Sequence, residues 1–217
     1  YGLAAILGIS MAAMQLDDIF GGRWAVDRSL PLHLCHIVTR LAIPTLIVAG
    51  STRNEGPEAG PATRLQRATE LVYYWSMGGT TQGLLTPEIH EPFPTIAYLR
   101  FFSMHGGVIV AAFVLTVGLR RRPRSDSVLF ACLVTIGLAS VVFVVNQLLG
   151  VNYMYLAGPP ARPSLYDLLG PWPWSLASMV AVGTVAYALL YSPWWVADRL
   201  RVRKSGGAKR AVPAARR

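Results

Sequence analysis

The sequence predicts an all-α fold: a polytopic bundle of transmembrane helices with about six spans in the visible chain. Three observations carry the prediction. Hydrophobic residues make up 53% of the chain and charged residues only 14%, where a soluble domain carries about a quarter charged. The apolar residues come in successive runs of about twenty, the length that crosses a hydrocarbon core at ~1.5 Å per residue. The charges are bunched between those runs.

The runs lie at 1–20, 30–50, 65–87, 94–119, 128–150 and 175–197. The first begins at once on Tyr1 with no signal-peptide pattern, which reads as a truncated start with helical sequence upstream. The connection 51–64 is rich in Gly, Pro and charge, as expected of a solvated loop. The connection 151–174 carries Gly-Pro-Pro, Arg-Pro and GPWPW, and is expected to form an ordered cap at the membrane interface. No internal repeat is visible. The organisation is one transmembrane helical domain, 1–198, followed by a basic cytoplasmic tail, 199–217, expected to be disordered.

A net charge of +9 would suit a nucleic-acid binder, but its placement argues against one. The excess sits in 120–124 and 199–217, each directly after an apolar run. Basic residues collect there when a loop faces the cytoplasm and its anionic leaflet. Two spans separate these patches, so both can be cytoplasmic, and the arginines of 51–67 fall on the same side by parity. The connections 21–29, 88–93 and 151–174 then lie outside. The expected location is the cell membrane, as a bacterial cytoplasmic membrane, with no nucleic-acid partner. The two cysteines, Cys35 and Cys132, lie inside apolar runs far apart, with no disulfide framework implied.

Polar groups inside a lipid-spanning helix are costly, so they mark packing contacts or function. On this topology they gather in the outer half. His33, Cys35 and His36 come in the first two turns of the second span, and Gln82 and Thr86 end the third. Arg100 and His105 lie in the fourth, Asn146, Asn152 and Tyr153 at the outer end of the fifth, and Asp167 and Trp172 in the cap. Asp17 and Asp18 end the first span, while Arg40 and Glu70 are the main polar residues toward the cytoplasm. Cys35 is expected roughly 7–8 Å below the outer boundary and His105 nearer 16 Å.

Each candidate has a plainer alternative. A membrane cysteine is often a small apolar filler, the reading adopted for Cys132 and left open for Cys35. His105 could simply bridge helices, although the two glycines after it permit close approach of a ligand or backbone. Gly78, Gly79 and Gly83 suit tight helix packing, since the strand–turn–helix context of a phosphate loop is missing. The ligand types for zinc are present in His33, Cys35, His36 and His105. A regular helix cannot aim 33, 35 and 36 at one point, so neither metal nor cofactor is expected.

LPLHLCHI at 30–37, GLLTP at 83–87, FFSMHGG at 101–107, NQLLGVNYMYL at 146–156 and GPWPW at 170–174 together resemble the YwaF-type bacterial integral membrane family. Human transmembrane protein 164 is related to that family and is regarded as an acyltransferase that moves a fatty acyl chain between phospholipids. It is held to work through a cysteine assisted by a histidine. The resemblance implies that Cys35 is the catalytic cysteine and His105 its histidine. The implied substrate is a membrane phospholipid, with His33, His36, Gln82, Arg100, Asn146, Asn152, Tyr153, Asp167 and Trp172 as candidates to bind it. The leading expectation is a lipid acyltransferase or acyl hydrolase. A small-molecule transporter or channel would use the same polar cavity without covalent chemistry, but paired broken helices and an inverted repeat are lacking. A non-catalytic membrane partner protein is the third reading. The oligomeric state is left open.

Overall fold

A computed structural model describes residues 1–51, 64–87, 89, 92–160 and 163–210, with the backbone alone for 201–210. Most of the solvated loop expected at 51–64, and the chain after 210, lie outside the described residues. Every regular element among the described residues is helical. The order is α1 (Gly2–Phe20), α2 (Leu34–Ser51) and α3 (Arg64–Tyr74), which passes through a π-helical turn (Trp75–Thr80) into α4 (Thr81–Leu85). Then come α5 (Ile96–Phe113), prolonged by a second π turn (Val114–Gly118), α6 (Ser127–Leu149) and α7 (Trp174–Arg210). Two short 3-10 turns, Tyr153–Tyr155 and Leu165–Leu169, lie between α6 and α7.

Five helices among the described residues are long and apolar enough to cross a membrane: α1, α2, α5 with its π turn, α6, and Trp174–Leu200 of α7. The chain is a multi-pass membrane protein. The sixth predicted crossing, 65–87, forms a continuous helical path over 64–85 but is too polar to join those five. Its position explains the polarity. The path runs through the middle of the bundle, packed by α2, α5, α6 and α7, and buries Thr69, Glu70, Tyr73, Tyr74, Trp75 and Ser76. A helix ringed by protein need not be apolar toward lipid, and three of its aromatic side chains bond to its neighbours. The Tyr74 hydroxyl pairs with Ser127 Oγ at 2.8 Å, Trp75 Nε1 donates to Thr135 Oγ1 at 2.8 Å, and the Tyr73 hydroxyl donates to the Leu190 carbonyl at 2.9 Å.

At the arginine-rich end, Glu70 is fully buried yet well satisfied. It accepts from Arg67 Nη1 at 3.0 Å, from Gln66 Nε2 at 3.3 Å and from the backbone N–H of Arg124 at 3.1 Å. Arg67 reaches on to Asp126 at 2.6 Å, and Arg122 pairs with Asp198 at 2.8 Å. These contacts tie the 119–127 loop and α7 to the central helix. Arg67 holds the Asp126 carboxyl below the usual carboxylate range by donating to it. Within α7, Pro193 cannot donate to the Leu189 carbonyl, and the Ser192 hydroxyl does so instead at 2.7 Å.

Toward the opposite end the packing changes. α6 and α7 lean on each other and on the central path, while α1, α2 and α5 pack around its other side. Between the two groups a cleft opens, roofed by the segment that links α6 to α7.

Candidate active site

The cleft has a volume of about 1610 Å³ and is lined from α2, α4, α5, α6 and α7 and from the cap. His33, Cys35, His36, Gln82, Arg100 and His105 all face it. The sequence placed His33 and His36 on one helical face and Cys35 on another, whereas all three border the cleft. α2 begins only at Leu34, and the His33 carbonyl accepts the first helical bonds, from His36 N–H at 3.0 Å and Ile37 N–H at 3.1 Å. His33 therefore lies before the helix and is free of its phase. Cys35 occupies the first turn of α2, where the positive end of the helix favours negative charge developing on its sulfur.

Two glycines of the central path mark the depths of the Leu34–Cys35 turn and of the His105 ring. The Leu34 side chain lies so close to Gly79 that an added Cβ there would meet it at 2.8 Å. One turn on, a Cβ at Gly83 would meet His105 Cδ2 at 3.2 Å and Nε2 at 3.3 Å. Gly79 and Gly83 are about 6 Å apart along a helix, so the residue beside Cys35 and the His105 ring flank the same stretch of chain. Counting residues from each helix start had put His105 much deeper than Cys35. The glycine contacts put the two about one helical turn apart, with His105 beside the glycine farther from the arginine-rich end, so His105 is not the deeper group.

The His105 ring is buried and fixed. Its Nδ1 lies 2.9 Å from the Phe101 carbonyl, and the ring stacks on Phe101 with centroids 3.9 Å apart. A carbonyl only accepts, so in the neutral ring the proton is assigned to Nδ1. Nε2 then carries the lone pair, beside Gly83. His36 Nδ1 is buried without a hydrogen-bond partner, and its ring lies within electrostatic reach of His33, Arg40, His105 and Arg100. Arg100 is held by Asp17 at 2.9 Å, and Asp17 also pairs with Arg23 at 2.6 Å.

The remaining candidates do not line the cleft; they build its roof. Asn146 uses both ends of its amide on one residue, Nδ2 donating to the Tyr153 carbonyl at 2.8 Å and Oδ1 accepting the Tyr153 N–H at 2.9 Å. Tyr153 is fully buried, and its hydroxyl donates to the Val26 carbonyl at 2.7 Å while accepting the Leu30 N–H at 2.9 Å. That one side chain fastens the cap to the loop before α2. Asn152 closes its own turn, donating to the Gly158 carbonyl at 3.1 Å and accepting the Ala157 N–H at 2.9 Å. Asp167 completes a capping box with Ser164, and Trp172 Nε1 donates to the Leu156 carbonyl at 3.1 Å. Asn146 and Asn152 instead border a separate hollow of about 520 Å³ beside Asp27 and Gln147.

Two site residues escaped the sequence reading. Met154 and Tyr155 line the cleft with φ of 57° and 55°, a left-handed conformation that costs non-glycine residues of order 1–3 kcal/mol. The Asn146 clamp holds this turn, and the Met154 N–H points to His33 Nδ1 at 3.4 Å. With no glycine or asparagine at either position, the turn left no sequence signal.

A family model described as the TMEM164 family matches residues 1–191, and the chain belongs to that family. No curated protein and no solved structure matches it.

Proposed function

We propose that this member of the TMEM164 family transfers acyl groups between membrane lipids, with Cys35 as nucleophile and His105 as its proton carrier. One observation supports the reading: a thiol in the first turn of a helix and a histidine whose Nδ1 is engaged by a backbone carbonyl line one cleft. The cysteine and histidine assigned by the family resemblance are these two residues.

The chemistry runs in two balanced halves. His105 Nε2 takes the thiol proton as sulfur attacks the ester carbonyl of a bound lipid, and a tetrahedral oxyanion forms. The C–O bond then breaks, the leaving lysolipid oxygen takes the proton back from Nε2, and the acyl chain remains on sulfur as a thioester. An acceptor hydroxyl gives its proton to Nε2 and attacks the thioester, and the departing sulfur recovers that proton. The Gln82 amide, which lines the cleft, and the positive end of α2 would supply the donor and the charge for the oxyanion. The Arg100 charge, partly offset by Asp17, suits a lipid phosphate at the mouth.

The test is acyl exchange in vesicles reconstituted with the purified chain. Cys35→Ser and His105→Ala should each abolish exchange while melting temperature stays near the parent value. A nucleophile and its base act as a unit, so the double variant should be little worse than either single one. Full exchange in Cys35→Ala ends the proposal.

A further inference from the structure

The last part of the cap has three sides of different character. Leu165–Leu169 is a 3-10 turn, and with three residues per turn its positions repeat every third residue. Tyr166 and Leu169 share one side, both half-buried, and the Tyr166 hydroxyl pairs there with the Ser175 hydroxyl of α7 at 2.8 Å. Asp167 shares a second side with Ser164, whose N–H it accepts at 2.9 Å. Leu165 and Leu168 share the third. That side is bare, with Leu165 49% and Leu168 81% exposed.

Two large apolar side chains left in water are costly, and the depth of the turn says what covers them. Ser175, to which the turn is fastened, lies in the first turn of α7, where the stretch long and apolar enough to cross a membrane begins. Trp174 beside it is 74% exposed. Trp172 directs its N–H inward to the Leu156 carbonyl and leaves 48% of its surface bare. Indole rings placed in this way belong to the boundary between headgroups and acyl chains. From 163 to 197 the chain carries one charge, Asp167, and that charge is on another side of the turn. Leu165 and Leu168 also line the cleft together with Val144 of α6 and Val180 of α7, which are exposed as well. The bare side of the turn is thus continuous with the lipid-facing surface of two spanning helices.

We propose that the Leu165–Leu169 turn is a membrane-contacting lip. Leu165 and Leu168 enter the lipid of the leaflet at the cap end, so the open side of the cleft borders acyl chains and not water. The partner is the phospholipid surface itself, because the patch adjoins apolar helix faces and offers no charge for a soluble protein to read. The proposal does not rest on acyl transfer.

Single cysteines are placed at Leu168 and, for contrast, at exposed Ala157 in a full-length chain carrying Cys35→Ala and Cys132→Ala. Each is labelled with a nitroxide and reconstituted in phosphatidylglycerol–phosphatidylcholine vesicles. Collisions with oxygen, which concentrates among acyl chains, are compared with collisions with a water-soluble nickel chelate. Leu168→Cys should favour oxygen, and Ala157→Cys the chelate. A preference for the chelate at both positions overturns the proposal. Because that chain lacks its natural cysteines, a second measurement uses the parent sequence with a benzophenone amino acid in place of Leu168. Irradiation in the same vesicles should add the mass of one phospholipid, and irradiated protein without a lipid adduct overturns the lip. Neither readout involves exchange activity, so either result leaves the roles of Cys35 and His105 to their own test.

Discussion

Tyr153→Phe removes one oxygen and should unfasten the cap. The hydroxyl is the junction of two bonds, donating to the Val26 carbonyl at 2.7 Å and accepting the Leu30 N–H at 2.9 Å, and the residue is fully buried. Phenylalanine keeps the ring, so packing against His33, whose centroid is 5.0 Å away, is retained. What is lost is hydrogen bonding, which leaves a backbone carbonyl and a backbone N–H unpaired. An unsatisfied buried group costs about 1–3 kcal/mol. Allowing for partial relaxation, the pair should cost about 2 kcal/mol, and melting should fall by about 4–8 °C for a chain of this length. Circular dichroism melting in detergent reads that number. A second readout reports the site: Leu30 leads directly into His33 and Cys35, so alkylation of Cys35 by a small maleimide should accelerate under native conditions. Tyr166→Phe provides the contrast, because its hydroxyl pairs with the Ser175 hydroxyl at 2.8 Å and no backbone group is orphaned. If Tyr153→Phe melts with the parent and its Cys35 reacts no faster, Tyr153 does not hold the cap and the account of the roof fails.

Gly83→Ala should separate activity from stability. Its Cβ would press on His105 at 3.2–3.3 Å, displacing Nε2 by tenths of an ångström and lowering exchange by about tenfold, while alanine in the helix leaves melting unchanged or raised; parental activity would show that Nε2 is not the working atom. Asp126→Asn should matter only above the acid range. Because Arg67 depresses the folded-state carboxyl, its contribution is present above the unfolded value near 3.8 and is lost as pH falls through the lower folded value. The melting gap between parent and variant should therefore close in strong acid, and a gap independent of pH would contradict the ion pair. For topology, a membrane-impermeant thiol reagent on intact cells should label Ala157→Cys in the cap and spare Ser125→Cys in the arginine-rich loop; the reverse pattern would invert the placement of the site.

Helix positions were legible because lipid enforces a length and a composition that sequence displays directly. α6 is the clearest case, predicted over 128–150 and observed over Ser127–Leu149. The central crossing was legible in length but not in role, since polarity alone does not say whether a helix faces lipid, water or other helices. Cys35, His36 and His105, which line the cleft, were legible as candidates because polar and thiol groups stand out against apolar runs. Asn146 and Tyr153 stood out for the same reason, yet their bonds go to backbone. Whether an intramembrane amide serves a ligand or a turn depends on contacts such as the pair between Asn146 and Tyr153, which arise only once the chain has folded back over the end of α6. Met154 and Tyr155 were invisible because their unusual backbone is imposed by that clamp and not by their own residue types.

The arrangement of the site depends on the π turn in the central path. At its start, Tyr74 and Trp75 direct their polar atoms to Ser127 and Thr135 of α6. Within and after it the small positions face other neighbours in succession: Gly78 meets Tyr187 of α7, Gly79 meets Leu34 of α2, and Gly83 meets His105 of α5. A π turn accommodates one residue more than an α-helical turn and so rotates everything beyond it by about 100°. Without that rotation, the glycine edge would not stand where it now separates α2 from α5. Larger residues there would hold those helices apart, and the Cys35 and His105 levels would no longer share one stretch of chain. The polar central helix, its π turn and its glycines thus answer one geometric requirement, which is to let two helices from different parts of the sequence approach a common cleft within about a turn of each other.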